Sequence, residues 1–219
     1  MQSENKPEPF KINPSEDGRQ FSPSIERNRD VIKSVFLQEI PANARVLEIA
    51  SGTGQHAAHI LKDAPDMRWI ASDLEEQAQI SIRAWAQHAG VEAQYEEVKV
   101  INAANKDWGI DGKIDAILSC NMLHISPWEV SLGMFAGAKK YLNGGGRLFL
   151  YGPFKRNGQQ ISESNTAFDV NLRDRNSHWG IRDLEGEVIS AAKLADLHLV
   201  NVHDMPANNF SVVFEHARV

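Results

Sequence analysis

The sequence predicts an α/β fold in which a doubly wound sheet of about seven strands is mostly parallel and ends in a reversed strand. Three observations support this fold class. Short apolar runs alternate with helical patterns along the chain. A glycine-rich turn follows the first of these runs. The last two predicted strands, 197–202 and 210–214, are joined so closely that they must be antiparallel, because a parallel pair requires a long crossover.

A helix is predicted to begin at Ser22 and Pro23 and to stop at Pro41. Helical spacing of apolar residues recurs after the first, second and fourth strands, and again from about residue 183. Gly144 is predicted to end the helix that follows the fourth strand. The predicted parallel strands are 46–50, 67–72, 95–101, 113–120 and 147–151.

A chain of 219 residues suits a single α/β domain. Residues 1–21 are polar and contain three prolines, which predicts a flexible N-terminal arm before a domain spanning 22–219. The segment from about 155 to 182 is polar, and its hydrophobic residues show no clear periodicity. Because it also carries aromatic and charged groups, it predicts an irregular, substrate-side insertion rather than disorder.

The composition favours a small-molecule substrate. The net charge is −6 and lysines and arginines form no large cluster, which disfavours binding to nucleic acid or to an anionic membrane. No apolar run is long enough to span a bilayer and no signal pattern stands at the amino terminus, so a cytoplasmic location is expected. The sequence leaves monomer and homodimer open.

The cysteines and histidines indicate no metal site. Cys120 is the single cysteine, which rules out an intrachain disulfide and a cysteine-based zinc cluster. His56 and His59 form a close pair but have no third ligand beside them, so a solvated or capping pair is expected.

The glycine turn predicts a cradle for an adenosine-containing cofactor. Gly52 and Gly54 remove Cβ atoms that would keep a ligand away from the backbone. The pattern G-x-G-x-x-A, which the turn also satisfies, occurs in dinucleotide-binding folds. The wider spacing of Glu48, Ala50, Gly52 and Gly54 is similar to motif I of class I S-adenosylmethionine-dependent methyltransferases, E-x-G-x-G-x-G, with Ala50 at the first glycine position. A turn that holds no ligand is the remaining alternative.

Polar residues follow the next strands at the edge where open α/β sheets bind ligands. Asp73 stands 19 residues after Gly54, near the interval at which an acid meets the ribose hydroxyls, and Leu74 follows it. Capping of the next helix is the alternative role for Asp73. Asn102 ends the third strand, where an adenine contact or a plain turn residue is expected. Asn121 follows the fourth strand, as does His124, which could equally be a structural histidine.

The reversed final strand favours a methyltransferase over a dinucleotide-binding enzyme, and no Tyr-x-x-x-Lys pair follows the fourth strand. The chain also resembles a small methyltransferase-like family that includes the animal methyltransferase-like protein 26. That family has Asp at the position of Asn102. The resemblance rests on motifs in the segments 21–28, 47–56, 121–125, 134–138, 150–154, 164–169, 179–183 and 205–209.

This resemblance implies S-adenosylmethionine as cofactor and S-adenosylhomocysteine as product. It implies that Glu48 anchors the methionine ammonium, that Asp73 binds the ribose and that Asn121 lies near the sulfonium. His124 and Tyr151 are the expected catalytic residues, as candidate proton acceptors. Two alternatives stay open: an NAD(P)-dependent oxidoreductase, and a protein that binds the cofactor without catalysis. The expected substrate-binding residues are Arg27, Asn28, Trp179, Arg182 and Asn209.

Overall fold

A computed structural model describes residues 12–218, so residues 1–11 of the predicted arm lie outside the described part of the chain. The strands are β1 (Asn13–Pro14), β2 (Gln20–Phe21), β3 (Arg45–Ile49), β4 (Arg68–Ser72), β5 (Tyr95–Lys99), β6 (Ile114–Cys120), β7 (Leu142–Gly152), β8 (Leu197–Met205) and β9 (Asn209–His216). The α-helices are α1 (Pro23–Glu39), α2 (Gln55–Leu61), α3 (Glu76–Ala89), α4 (Trp128–Tyr141), α5 (Glu163–Arg175) and α6 (Ser190–Leu194).

The central sheet has seven strands in the order β5-β4-β3-β6-β7-β9-β8. Strands β3 to β7 pair in parallel, whereas β9 runs antiparallel to both β7 and β8. The predicted fold class is therefore confirmed. The strand order turns back between β3 and β6, which makes the carboxyl ends of these two strands the topological switch point of the sheet.

Hydrophobic layers cover both faces of the sheet. On one face Phe36 of α1 packs against Trp69 and Phe149, with ring centroids 5.9 Å and 5.4 Å apart. On the other face Phe135 of α4 packs among the side chains of β6, β7 and β9, including Phe214. Each of these rings is essentially inaccessible to solvent, and burying one contributes about 1.5–3 kcal/mol. The switch point therefore lies in a sheet that is packed on both faces.

The segment 155–182 contains a helix that the sequence analysis missed. Helix α5 spans 13 residues, and its N-cap Ser162 accepts a hydrogen bond from the backbone nitrogen of Asn165 at 3.1 Å. Its buried residues are Asn165, Asp169 and Leu172. Because two of these three side chains are polar, the sequence of this helix shows almost no hydrophobic periodicity. The prediction of an irregular segment was therefore wrong for this part.

The boundary between α4 and β7 also differs from the prediction. The helix ends at Tyr141, and β7 begins at Leu142 and runs through the glycines at 144–146. Leu142 pairs with Ile114, and the register then shifts before Ala116 pairs with Arg147. Strand pairing across this irregularity overrides the helix-ending signal of the glycines.

Residues 12–21 form a short hairpin against α3. The Trp85 indole donates a hydrogen bond to the carbonyl of Gln20 at 2.9 Å, and the Gln20 nitrogen donates to the Ser81 hydroxyl at 2.8 Å. The Arg19 guanidinium lies 4.9 Å from the centre of the Trp85 ring. Between residues 12 and 218, no helix has the length and apolar character needed to cross a membrane.

Candidate functional site

A cavity of about 460 Å³ opens at the carboxyl ends of β3, β6 and β7, beside the topological switch point. The sheet side of the cavity is lined by residues from the ends of these strands and from the turns that follow them: Glu48, Ala50, Ser51, Gly52, Thr53, Cys120, Asn121, Tyr151 and Pro153. Residues from the hairpin, α1, α5 and the β8–β9 turn enclose the other side. The cavity thus occupies the place where open α/β sheets bind ligands.

The two glycines of the turn have different roles. Gly52 has φ +57°, and a Cβ on it would meet no atom within 4 Å, so its backbone faces open cavity space. Gly54 has φ +82°, and a Cβ there would lie 2.7 Å from the Cα of Ile82 in α3. Gly52 fits the expected approach of a ligand. Gly54 does not line the cavity. It allows close packing of α2 against α3, so the sequence analysis gave this residue the wrong physical reason.

Ala50 lines the cavity in a left-handed backbone conformation, with φ +57°. Glycine adopts this conformation without steric cost, whereas a residue with a Cβ is strained by about 1–2 kcal/mol. Alanine at the first glycine position of the motif therefore preserves the turn but stores strain in it.

Asp73 supports the glycine turn directly. Its Oδ2 accepts a hydrogen bond from the Gly52 nitrogen at 2.8 Å, and its Oδ1 accepts one from the Glu75 nitrogen at 3.0 Å. A carboxylate has about four acceptor positions, so Asp73 retains capacity for two ribose hydroxyls. Leu74, next to it, is 56% exposed at the end of β4.

The structure does not bring Asn102 into the cavity. This residue lies three positions beyond β5 and is exposed, and its side-chain oxygen accepts a hydrogen bond from the Ala104 nitrogen at 3.0 Å. Such a bond two residues along the chain is typical of an Asx turn. The observed role of Asn102 is therefore that of a turn residue, the alternative kept open by the sequence.

Glu48 is the one carboxylate among the described residues that line the cavity. It is 2% exposed, and its Oε2 accepts a hydrogen bond from the Trp69 indole at 3.2 Å. Burial raises the pKa of Glu48 to about 7, although the hydrogen bonds from Ser51 and Trp69 oppose the shift. A bound cation would lower this pKa again, because an opposite charge favours the ionised carboxylate. Glu48 is thus suited to an ammonium group.

His124 lies in the turn that follows β6. Asn121 begins this turn with φ +61°, and its nitrogen donates a hydrogen bond to the Tyr151 carbonyl at 2.7 Å. A Cβ on Gly152 would lie 2.6 Å from the His124 Nε2, so glycine is needed there to admit the imidazole. Burial lowers the pKa of His124 to about 3, and both ring nitrogens lack a hydrogen-bond partner within the described chain. The imidazole is therefore neutral.

Tyr151, at the end of β7, also lines the cavity and is 4% exposed. Burial raises the pKa of its phenol to about 12, while a hydrogen bond with the Asn28 side chain acts in the opposite direction. The phenol is consequently protonated near neutral pH and acts as a hydrogen-bond donor. Of the two residues of α1 that are predicted to bind substrate, Asn28 lines the cavity, whereas Arg27 is exposed and lies outside the lining.

His56 is a cavity residue that the sequence analysis did not assign. It is 4% exposed, and burial lowers its pKa to about 4. His59 instead hydrogen bonds with Asp30 at 2.7 Å. The expectation of a solvated or capping pair is wrong for His56, because α1 packs over the start of α2 and covers it.

Among residues 12–218 no cluster of three or more His, Cys, Asp or Glu could hold a metal ion.

Of the remaining predicted substrate residues, Asn209 lines the cavity, whereas Trp179 and Arg182 do not. The Arg182 guanidinium is buried and donates hydrogen bonds to the carbonyls of Leu123 at 3.0 Å and Ser126 at 2.8 Å. The nitrogen of Gly180 donates to the His124 carbonyl at 3.0 Å. The end of the 155–182 segment therefore fixes the turn that carries His124.

The sequence analysis missed a polar hub at Gln55. Its Oε1 accepts hydrogen bonds from the Ser22 nitrogen at 2.8 Å and from the Thr53 hydroxyl at 3.0 Å, and its Nε2 donates to Glu26 at 2.6 Å. One buried amide thus ties the start of α1 to the glycine turn. Ser164 and Asn165 of α5 and Ala207 of the β8–β9 turn also line the cavity and were unassigned, although motifs at 164–169 and 205–209 contain them.

Solved methyltransferase structures share this fold. An O-methyltransferase family protein from Burkholderia thailandensis superimposes with a TM-score of 0.76 at 14% identity, covering 89% of this chain and 57% of that one. An O-methyltransferase family 2 protein from Planctomyces limnophilus, in complex with apigenin, gives 0.73 at 21% identity, covering 89% and 60%. Human N-acetylserotonin methyltransferase, in complex with S-adenosylmethionine, gives 0.71 at 10% identity, covering 89% and 53%. The chain spans less than two thirds of these proteins, and the likeness establishes a class I methyltransferase fold.

A family match covers most of the sequence. Residues 19–216 match the family described as "Protein of unknown function (DUF938)". The matched range includes the glycine turn, the turn that carries His124 and the whole of α5. The chain therefore belongs to the DUF938 family.

Proposed function

We propose that the protein transfers a methyl group from S-adenosylmethionine to a small-molecule acceptor. The observation that carries this proposal is the cavity at the switch point, where the open backbone of Gly52 and the buried carboxylate of Glu48 lie together with the neutral groups of His124 and Tyr151. A cofactor whose amino acid end carries an ammonium group suits the pair of Gly52 and Glu48. An uncharged acceptor group suits the neutral pair of His124 and Tyr151.

The cofactor is placed by the residues around the glycine turn. Glu48 pairs with the methionine ammonium, the backbone at Gly52 contacts the methionine part, and Asp73 accepts hydrogen bonds from the ribose hydroxyls while it holds the turn. Leu74 presents an exposed apolar side chain for the adenine. Asn121 lies beside the sulfonium end. We assign no adenine contact to Asn102, because its amide oxygen already serves the local turn.

The chemistry asks little of the protein beyond alignment and exclusion of water. A lone pair of the acceptor forms the bond to the methyl carbon, and the carbon–sulfur bond breaks with its electron pair remaining on sulfur. An oxygen that gains a methyl group becomes strongly acidic, so a weakly basic neutral imidazole suffices to take its proton. His124 fits this role, whereas Tyr151 orients the acceptor by donating a hydrogen bond.

The motifs shared with the methyltransferase-like protein 26 family support the same proposal, and we propose that the chain is a relative of that family. The fold is also compatible with a protein that binds the cofactor without transferring the methyl group, so turnover is the decisive property. Incubation of a small-molecule extract with S-adenosylmethionine labelled in the methyl group should yield a labelled compound and S-adenosylhomocysteine. Cofactor binding with no labelled compound from any extract would contradict a transferase.

A further inference from the structure

Part of the cavity lining comes from chain segments outside the parallel strands. We define the acceptor wall as Ile12, Ile25, Ser164, Asn165, Phe168 and Asn209, which come from the hairpin, α1, α5 and the β8–β9 turn. The Asn165 amide donates a hydrogen bond to the carbonyl of Asn208 at 3.1 Å, so α5 is joined to the β8–β9 turn. The acceptor wall combines apolar side chains with amides and a hydroxyl.

Charge is scarce around this cavity. Among its lining residues between positions 12 and 218 there is no Asp, Lys or Arg, and Glu48 is the single acidic residue. The two lining histidines are neutral, because burial lowers the pKa of His56 to about 4 and that of His124 to about 3. An anionic acceptor would meet no lysine or arginine in this lining. Removing an anion from water without a partner is strongly unfavourable.

Several unpartnered polar atoms lie in the lining of the same cavity. The His124 ring nitrogens, the His56 Nδ1 and the Asn28 Oδ1 are buried without a hydrogen-bond partner among the described residues, and all three side chains belong to the cavity lining. A buried polar group without a partner costs about 1–3 kcal/mol, so its retention calls for an explanation. A ligand that carries neutral donors and acceptors would supply the missing partners.

We propose that the methyl acceptor is an uncharged molecule with an apolar body and neutral hydrogen-bonding groups, and that carboxylate, phosphate and ammonium compounds are excluded. This inference rests on the proposed function, because Glu48 is unavailable to a cationic acceptor only when it already pairs with the cofactor's ammonium. The acceptor's neutral hydroxyl or thiol attacks the methyl carbon, sulfur keeps the electron pair of the broken bond, and the released proton passes through the His124 imidazole to solvent.

The test separates the acceptor's charge from cofactor binding. A cell extract is divided by ion exchange at pH 7 into anionic, cationic and neutral small-molecule fractions, and each is incubated with the full chain and methyl-labelled S-adenosylmethionine. Label in a compound from the neutral fraction is expected. Label confined to an anionic or cationic compound would overturn the inference while leaving the methyltransferase intact. Label in no fraction would overturn both.

Variants of the acceptor wall provide a second readout. Phe168→Ala and Asn165→Ala should each lower transfer to the neutral fraction by about tenfold or more while the affinity for S-adenosylhomocysteine changes by less than about twofold. Asn171→Ala, on the exposed side of the same helix, is the matched control and should change neither quantity. Full transfer by Phe168→Ala, or a parallel loss of S-adenosylhomocysteine affinity in both wall variants, would show that this wall does not hold the acceptor.

Discussion

The Asp73 carboxylate accepts a hydrogen bond from the backbone nitrogen of Gly52 at 2.8 Å, so the acid at the end of β4 holds the glycine turn at the end of β3. The two strands are neighbours in the sheet, and Ile49 pairs with Ser72 just before the turn and the acid. The residue proposed to bind the ribose therefore also shapes the backbone proposed to meet the methionine. Cofactor binding and the conformation of the turn are coupled through this one side chain.

Asp73→Ala should weaken both properties. The backbone nitrogens of Gly52 and Glu75 lose their acceptor, which should lower the free energy of unfolding by about 1–2 kcal/mol. Loss of the ribose contacts should weaken S-adenosylhomocysteine binding by about 1–3 kcal/mol. Chemical denaturation and titration calorimetry measure the two effects. Asp73→Asn, which retains one acceptor oxygen, should fall between wild type and alanine, and unchanged affinity in Asp73→Ala would remove the ribose role.

Alanine substitutions at Gly52 and Gly54 should distinguish the stability cost of disrupted packing from the cost of backbone strain. Gly54→Ala places a Cβ 2.7 Å from the Ile82 Cα and should cost about 2–4 kcal/mol of stability, because α2 and α3 must move apart. Gly52→Ala meets open space, so it should cost about 1–2 kcal/mol from its positive φ alone. Relative to the stability that each variant loses, Gly52→Ala should nevertheless weaken ligand binding more than Gly54→Ala does. Equal stability losses in thermal or chemical unfolding would contradict this distinction.

Ala50→Gly should stabilise the protein. The residue has φ +57°, and glycine relieves the left-handed strain although it also adds conformational freedom to the unfolded chain. The two effects should leave a net gain of about 0.5–1 kcal/mol in chemical denaturation. Ala64→Gly provides the control: Ala64 is buried and is not among the positive-φ residues, so glycine there should destabilise. A loss of stability in Ala50→Gly would argue against strain at this turn.

Glu48→Gln should make the protein more stable at high pH. Burial raises the pKa of Glu48 to about 7 from an ordinary 4.5, so between these values the folded state retains a proton that the unfolded state has lost. The contribution of Glu48 to stability is greatest below pH 4.5 and declines as the pH rises through 7. Above that pH the buried carboxylate penalises the folded state by up to about 3 kcal/mol.

Urea denaturation at two pH values tests this expectation. Glu48→Gln should match wild type near pH 4 and exceed it above pH 8, since the histidine contributions are common to both proteins. The same variant should bind S-adenosylmethionine more weakly by about 1.5–3 kcal/mol, because a hydrogen bond to a charged group is lost. A stability difference independent of pH would show that Glu48 is not a buried, proton-holding carboxylate.

Most of the fold could be predicted from the sequence, because the hydrophobic periodicity of the elements and the Gly and Pro residues between them indicate the same boundaries. The apolar strands and the glycine turn are encoded locally, and the short β8–β9 connection fixes the antiparallel pair. Helix α5 could not be predicted in this way, since Asn165 and Asp169 occupy its buried side. Asp169 is held by the Ile181 nitrogen at 2.8 Å and by Lys155 at 3.0 Å, and such long-range polar partners leave no local pattern.

The strand-end lining of the candidate site was more predictable than the rest of its lining. Glu48, Ala50 and Gly52 are consecutive elements of one motif, and all three line the cavity. Arg182 shows the opposite case: a buried arginine near a predicted pocket suggests a ligand contact, but its guanidinium holds the carbonyls of Leu123 and Ser126. Which way a polar side chain points depends on tertiary packing that no spacing in the sequence encodes.

The proposed function requires that the cavity at the switch point bind S-adenosylmethionine. Titration calorimetry of the full chain against S-adenosylmethionine, S-adenosylhomocysteine, NAD(H) and NADP(H) tests it most directly. Repeating the titration near pH 7 in buffers of different ionisation enthalpy measures the protons released. We expect one methionine-derived ligand to bind per chain, with release of part of a proton from Glu48, and no nicotinamide binding. Binding of a nicotinamide cofactor alone would rule out S-adenosylmethionine as the ligand of this cavity.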